Sequence, residues 1–118
     1  MFYVNGDGNR MATANQTAPA WTFLSNHGHI LLCIARDPDI RVREIAQAVG
    51  ITERAVQRIL GELEEAGAIS RRRQGRRTHY QIDKRFPLRH PIEAHHSVGE
   101  LLRLAGSSVG VGATRARR

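Results

Sequence analysis

Apolar residues recur at helical spacing in two neighbouring stretches near the middle of the chain. The first stripe has positions i, i+3, i+4 and i+7 and consists of Val42, Ile45, Ala46 and Val49. The second stripe consists of Ala55, Val56, Ile59, Leu60 and Leu63. Such one-sided stripes predict two amphipathic helices. Gly50 is a suitable stop for the earlier helix of this pair, and Thr52 is a suitable cap for the later one, which is predicted from about Glu53 to Ala66.

A further helix is predicted on each side of this pair, so the pair forms the second and third helices of the chain. The earlier one has Ser25 as its N-cap, ends before Pro38 and is apolar on every side between Ile30 and Ala35, so it must be covered on more than one face. After Pro87, the stretch "PIEAHHSVGELLRLA" predicts a last helix with Pro91 in its first turn. Its apolar stripe consists of Val98, Leu101, Leu102 and Ala105 and is extended by Ile92.

Between the third helix and the last one, the stretch "AISRRRQGRRTHYQI" is typical of a β-hairpin. If Gln74 and Gly75 form a two-residue turn, Ile69 lies opposite Tyr80, and Ile82 falls on the same face. The apolar residues then share one side of the hairpin. The fold class is therefore predicted to be mainly α with a small β-hairpin (α+β), as a winged helix-turn-helix with an additional C-terminal helix.

Positive charge is concentrated at this hairpin. The chain has 118 residues and a formal net charge of +7, which indicates one domain and an acidic partner, most often nucleic acid. The hairpin contains Arg71, Arg72, Arg73, Arg76 and Arg77. Like charges repel, so folding alone gives no reason to gather them. Because Lys84 is the single lysine among 18 basic residues, the placement of the arginines carries more weight than their identity.

Two helices joined by the short turn at residues 50–52, followed by a basic hairpin, form a helix-turn-helix with a wing. Over residues 43–82, "REIAQAVGITERAVQRILGELEEAGAISRRRQGRRTHYQI", the chain resembles winged-helix transcription regulators of the MarR and ArsR types. This resemblance implies that the third helix enters the DNA major groove and that the wing reaches the flanking backbone or minor groove.

The outward face of the third helix agrees with this expectation. Arg54, Gln57, Arg58 and Gly61 lie at i, i+3, i+4 and i+7, opposite the apolar stripe. Arginine and glutamine pair with guanine and adenine edges, and a glycine lets a phosphate approach the backbone, unless it is simply a tolerated defect. The predicted DNA-binding residues are Thr52, Glu53, Arg54, Gln57, Arg58, Arg71, Arg72, Arg73, Gln74, Gly75, Arg76 and Arg77. The alternatives are a solvated Arg58–Glu62 surface pair and a basic loop that only keeps the protein soluble.

Charges along the third helix run against its dipole. Apart from Glu53, the bases stand early and the acids Glu62, Glu64 and Glu65 stand late. Insertion of the N-terminal half of the helix into the major groove would favour this order, because the acids then stay away from the phosphates.

A homodimer is predicted, because regulators of this type commonly bind two-fold-related half-sites. The predicted dimerisation residues are Ile30, Leu31, Ile34, Val98, Leu101, Leu102 and Ala105. The alternative is a monomer in which the last helix folds back on the first helix of the same chain.

No catalytic residue, cofactor or metal site is predicted, since the chain contains no phosphate-binding glycine loop or nucleophile motif. The Cys-x-Cys pair of metal-sensing ArsR-type proteins is missing from the second helix. Pairs such as His90 with Glu93 and His96 with Glu100 leave a zinc site open, and a ligand cleft of the MarR kind has no sequence support. A protein- or RNA-interaction module remains the competing class.

Cellular context and domain organisation follow from composition. The lone Cys33 excludes an intramolecular disulfide. No apolar run approaches the roughly 18 residues of a membrane span, and the N-terminus lacks the features of a signal peptide. These features predict a cytoplasmic protein with no membrane partner. Four regions are predicted, namely a disordered segment at 1–20, a winged helix-turn-helix at 21–86, a C-terminal helix at 87–106 and a basic flexible tail at 107–118.

Overall fold

A computed structural model describes residues 19–105, so the predictions for residues 1–18 and 106–118 lie outside the described part of the chain. The elements, in chain order, are α1 (Asn26–Arg36), α2 (Val42–Val49), α3 (Glu53–Ala66), β1 (Ile69–Gln74), β2 (Arg77–Ile82) and α4 (Val98–Ala105). The predicted fold class is confirmed, with helices packed around a core and a two-stranded antiparallel wing. Within residues 19–105, no helix is both long and apolar enough to cross a membrane.

The boundaries of the first three helices follow the predicted capping residues. The Ser25 hydroxyl accepts the N–H three residues further on at 3.4 Å, and the Thr52 hydroxyl accepts the N–H of Ala55 at 3.0 Å. Gly50 and Gly67 end α2 and α3 with φ values of 87° and 95°, a left-handed conformation that favours glycine. Local sequence signals therefore place these three helices correctly.

Helix α1 lies at the centre of the core and contacts α2, α3, β2 and α4. This arrangement covers the helix on several faces, as its all-round apolar character requires. Five of the seven predicted dimerisation residues are buried within this single chain, namely Ile30, Leu31, Ile34, Val98 and Leu102. Leu101 and Ala105 are half-buried. A second copy is thus not needed to bury α1 or the inner side of α4, and the homodimer remains a prediction.

The turn of the hairpin differs by one residue from its predicted position. Gln74 pairs with Arg77, so that Gly75 and Arg76 form the two-residue loop, and Ile69 lies opposite Ile82 instead of Tyr80. Gly75 stands at the first central position with a φ of 63°, where glycine is favoured. The pairing shifts by two residues, and because side chains alternate with a period of two, every residue keeps its predicted face.

The last helix is shorter than predicted. It begins at Val98, while residues 91–95 form turns, so that Pro91 does not stand in a first helical turn. Ile92 is 79% exposed and does not extend the apolar stripe. The reason is a reciprocal cap, in which the Ser97 N–H donates to Glu100 Oε1 at 2.7 Å and the Glu100 N–H donates to the Ser97 hydroxyl at 3.2 Å.

The charge of Glu100 strengthens this cap. The hydrogen bond from the Ser97 N–H, followed by the contact with His96, lowers the pKa of the Glu100 carboxyl from its usual value. A lowered folded-state pKa stabilises the fold above the ordinary pKa of glutamate, and this contribution is lost as the pH falls through the lowered value. Acid therefore weakens the start of α4.

The first turn of α4 docks on the segment that leaves the wing. The N–H groups of Val98 and Gly99 donate to the carbonyls of Phe86 and Lys84, each at 2.8 Å. A Cβ atom at Gly99 would lie 2.8 Å from the Lys84 carbonyl oxygen. The sequence pattern marks Gly99 only as a weak point in a helix, whereas the structure shows a close approach of two backbones that requires glycine.

We expect Gly99→Ala to lower the free energy of unfolding by about 1 to 3 kcal/mol, because the added methyl group overlaps the backbone at residue 84. Gly61→Ala is the matched control, since the position of its Cβ has no neighbouring atom within 4 Å. That control is expected to raise the stability by up to about 1 kcal/mol through helix propensity. Urea denaturation of both variants checks the prediction, and equal stabilisation by both would contradict the close approach.

Candidate nucleic-acid interface

The predicted DNA-binding residues at the start of α3 are all accessible to solvent. Thr52, Glu53, Arg54, Gln57 and Arg58 are all exposed. The opposite side of the helix is anchored in the core by Val56, Ile59, Leu60 and Leu63, whose exposed fractions are at most 8%. Burial of that stripe therefore turns the polar residues of the first two turns outward.

Arg58, Glu62 and His27 form a polar network that joins α3 to the start of α1. Arg58 Nη1 donates to Glu62 Oε2 at 3.2 Å, and Glu62 Oε1 lies 2.7 Å from His27 Nε2. The hydrogen bond with His27, together with the interactions of Arg58, lowers the pKa of the Glu62 carboxyl. The sequence predicts the Arg58–Glu62 pair by its i, i+4 spacing, but His27 is 35 residues away and no local pattern indicates it.

The wing, defined here as Ile69–Ile82, is attached to α3 through Arg71. Both Nε and Nη2 of Arg71 donate to Glu64 Oε1, at 3.0 and 2.8 Å. Across the hairpin, Arg71 pairs with Tyr80, which is 4% exposed and whose burial raises the pKa of its hydroxyl. Arg71 is thus half-buried against the body of the protein.

The other strand of the wing is attached to the loop between α1 and α2. The N–H of Tyr80 donates to the Pro38 carbonyl at 2.8 Å, and His79 Nδ1 lies 2.8 Å from Asp39 Oδ1. Arg77 Nη2 donates to the Asp39 carbonyl at 3.2 Å. Sequence reasoning missed Asp39 and His79, because nothing in either local pattern marks a contact between residues 40 positions apart.

These contacts divide the five arginines of the wing into two groups. Arg71 and Arg77 donate hydrogen bonds to the body, whereas the exposed Arg72, Arg73 and Arg76 make no such contact within residues 19–105. Arg73 donates to the Gly75 carbonyl at 3.4 Å, at the edge of hydrogen-bond distance. Within residues 19–105, neither Arg72 nor Arg76 has an ion pair or side-chain hydrogen bond. Gln74 and Gly75 are exposed beside them at the tip.

The late acids of α3 also have partners in the fold. Glu62 contacts His27 and Arg58, and Glu64 contacts Arg71. Intramolecular pairing therefore accounts for two of the three acids that stand at the unfavourable end of the helix dipole.

The rings of His95 and His96 lie against each other with centroids 4.1 Å apart, whereas His27, His29 and His79 each contact a single polar partner. His96 contacts Glu100 at 3.3 Å, whereas residues 90–93 form a turn and not the helical face that sequence spacing indicates. Among residues 19–105, no three or more His, Cys, Asp and Glu side chains are grouped so that they could hold a metal ion.

A groove of about 1300 Å³ runs between α1, the C-terminal half of α3, residues 86–94 and α4. Apolar side chains form much of its wall, among them Leu24, Leu31, Leu63, Phe86, Leu88 and Leu101. Phe23 lies at its edge and is 91% exposed. Cys33 is half-buried, and burial raises the pKa of its thiol.

Comparisons with known proteins agree with this architecture. Residues 24–70 match a family model described as winged helix-turn-helix DNA-binding. A stretch of 49 residues is 43% identical to a riboflavin kinase of Thermococcus kodakarensis, and the match covers 42% of this chain. It covers 23% of the kinase, so the chain spans about a quarter of that relative. The comparisons support a winged helix-turn-helix of the DNA-binding kind, and the resemblance to MarR and ArsR regulators stays a prediction.

We expect Arg71 and Arg72 to differ in their coupling to Glu64. A double-mutant cycle of Arg71→Ala with Glu64→Ala should give a coupling energy of about 0.3 to 1 kcal/mol, as for other partly exposed ion pairs. The cycle of Arg72→Ala with Glu64→Ala should give none, because Arg72 makes no hydrogen bond or ion pair with Glu64. Chemical denaturation of the single and double variants measures both values, and equal coupling in the two cycles would contradict the attachment through Arg71.

Proposed function

We propose that the protein binds double-stranded DNA in a sequence-specific manner and regulates transcription, with α3 in the major groove and the wing on the backbone or minor groove. The observation that carries this proposal is the exposure of Arg54, Gln57 and Arg58 on one face of the second helix of a helix-turn-helix. Arg72, Arg73 and Arg76 of the wing are exposed and form no ion pair within residues 19–105.

The chemistry of these side chains fits DNA. Arginine donates two hydrogen bonds to the O6 and N7 atoms of guanine, and glutamine pairs with the N6 and N7 atoms of adenine. Arg72, Arg73 and Arg76 suit phosphates, where each contact releases counterions, or a narrow A·T-rich minor groove. Base contacts by α3 would therefore contribute sequence specificity, and backbone or minor-groove contacts by the wing would contribute affinity.

Gly61 gives additional support. It lies on the same face as Arg54, Gln57 and Arg58, and a Cβ atom there would have no neighbour within 4 Å. Internal packing thus gives no reason for a glycine in the interior of α3. A phosphate that approaches the helix backbone would give one.

A second candidate function is binding of a protein partner, and the groove favours it. The groove is largely apolar and has the exposed Phe23 at its edge, a combination common at protein-interaction sites. This function does not require Arg54, Gln57 and Arg58 on one exposed face, so substitution of these residues separates the two candidates.

The homodimer is proposed through the outer side of α4. Leu104 is 82% exposed, and Leu101 and Ala105 are half-buried beside it, so this side offers an apolar surface to a second copy. Two copies related by a two-fold axis would place two α3 helices on the half-sites of an inverted repeat.

The proposed function is tested by binding of the purified protein to fragmented genomic DNA at about 150 mM salt, followed by sequencing. Enrichment of a few fragments that share an inverted repeat is the expected result. Uniform retention of all fragments would indicate a general DNA-coating role instead. No retention would contradict the proposal and favour protein or RNA partners.

Arg58 and Arg76 are expected to contribute differently to DNA binding. Arg54→Ala and Arg58→Ala should each cost about 1 to 3 kcal/mol on the selected sequence and relax the preference at one base pair. Arg76→Ala should weaken all sequences alike and reduce the slope of log affinity against log salt by about 1.

Arg89→Ala is the matched control for these variants, because it removes the same charge from the groove side of the protein. Fluorescence anisotropy at several salt concentrations measures all four variants. Unchanged duplex binding by Arg54→Ala and Arg58→Ala would show that the recognition face is assigned wrongly.

We expect sedimentation at micromolar concentration to give twice the monomer mass of 13.2 kDa. Leu104→Lys should shift the population to monomers, because it places a charge in the proposed interface. Ile92→Lys, at a residue that is 79% exposed in the turns before α4, should leave the mass unchanged. A monomeric wild-type protein would remove the dimer proposal.

A further inference from the structure

The contact of His27, Glu62 and Arg58 joins the core helix α1 to the proposed DNA-reading surface. Each oxygen of the Glu62 carboxylate has its own partner, at 3.2 Å for Arg58 Nη1 and 2.7 Å for His27 Nε2. The carboxylate is therefore held at both ends, by a residue on its own helix and by one that is 35 positions away.

An arginine that reads a base benefits from such a support. Its long side chain loses much rotamer freedom when it takes up a bidentate geometry, and a guanidinium that is already oriented loses less. The Glu62 carboxylate uses Nη1 of Arg58 and leaves the other edge of the guanidinium for a base. The side chains are 61% and 49% exposed, so the contact is accessible to solvent before DNA arrives.

We propose that Glu62 is a positioning residue that orients Arg58 for base reading, and that His27 fixes the orientation of Glu62. This inference rests on the proposed DNA-binding function. Glu62 itself does not touch a base in this arrangement and acts only through Arg58.

The neighbouring charged groups do not replace Glu62 in this role. Arg89, Glu65 and Glu93 line the same groove as His27 and Glu62. Among residues 19–105, neither Glu65 nor Glu93 makes an ion pair. Glu65 is therefore a suitable control, because it stands on the same helix, is exposed and has the same charge as Glu62.

A competing role for Glu62 is to hold Arg58 back from DNA. In that case removal of the carboxylate would strengthen binding to every sequence and leave the base preference intact. Positioning has the opposite signature, because loss of the carboxylate frees Arg58 to contact phosphates and several bases. The preference for the correct base then falls, while binding to random duplexes rises slightly or stays the same.

In the experiment, the full chain first selects duplexes from a randomised pool. The selected duplex then competes for binding with its three single-base variants at the position whose preference Arg58→Ala relaxes. Glu62→Gln should reduce the preference about 3- to 10-fold, and His27→Gln should reduce it less and in the same direction. Glu65→Gln removes the same charge and should keep the wild-type preference. Equal preferences in Glu62→Gln and Glu65→Gln would overturn the inference.

A second measurement needs no DNA. In the wild-type protein, NMR signals of the Arg58 guanidinium should show slowed rotation, and Glu62→Gln should restore rapid rotation while the amide spectrum stays that of a folded protein. Rapid rotation in the wild type would also overturn the inference. If the wild-type protein selects no sequence, the proposed function fails together with this inference, whereas a base preference that survives Glu62→Gln refutes the inference alone.

Discussion

The structure depends on the need to cover α1, which is apolar on all sides. Ile30 and Ile34 are at most 1% exposed, and α2, α3, β2 and α4 each contact this helix. Because α3 turns its apolar stripe toward the core that α1 organises, its polar face must point away from it. The direction of the proposed reading surface is thus a consequence of hydrophobic burial and not of any interaction with DNA.

Electrostatic contacts then fix the position of the wing relative to the buried core. Tyr80 anchors the wing in the core, an ion pair on one strand connects it to α3, and a histidine–carboxylate contact on the other strand connects it to the loop after α1. Partly exposed contacts of this kind stabilise a protein only slightly, so their main effect is on the position of the wing. Glu62 contacts Arg58 and Glu64 contacts Arg71, whereas no acid among residues 19–105 pairs with Arg72, Arg73 or Arg76.

Helix α4 shows how one local signal can outweigh another. Pro91 and the apolar residues after it favour a long helix, yet the reciprocal hydrogen bonds of Ser97 and Glu100 set its start several residues later. The freed N–H groups of the first turn bind the backbone at residues 84–86, and Gly99 permits this approach. The inner apolar side of α4 is consequently used within the chain, while Leu104 on its outer side stays exposed.

Local physics made the helices and the reading face predictable from the sequence. Caps at Ser25 and Thr52, and glycine stops at Gly50 and Gly67, act over three or four residues, and the i, i+3, i+4 spacing places Arg54, Gln57 and Arg58 together whatever the rest of the fold does. The faces of the wing residues were predictable for a similar reason, since they alternate with a period of two even when the turn shifts. The tertiary structure alone decided the partners of His27, Asp39 and Glu64, the docking of α4 and the role of Arg71. Those contacts join distant parts of the chain, or depend on how the wing is set against α3, and they form only when packing of the apolar core brings the elements together.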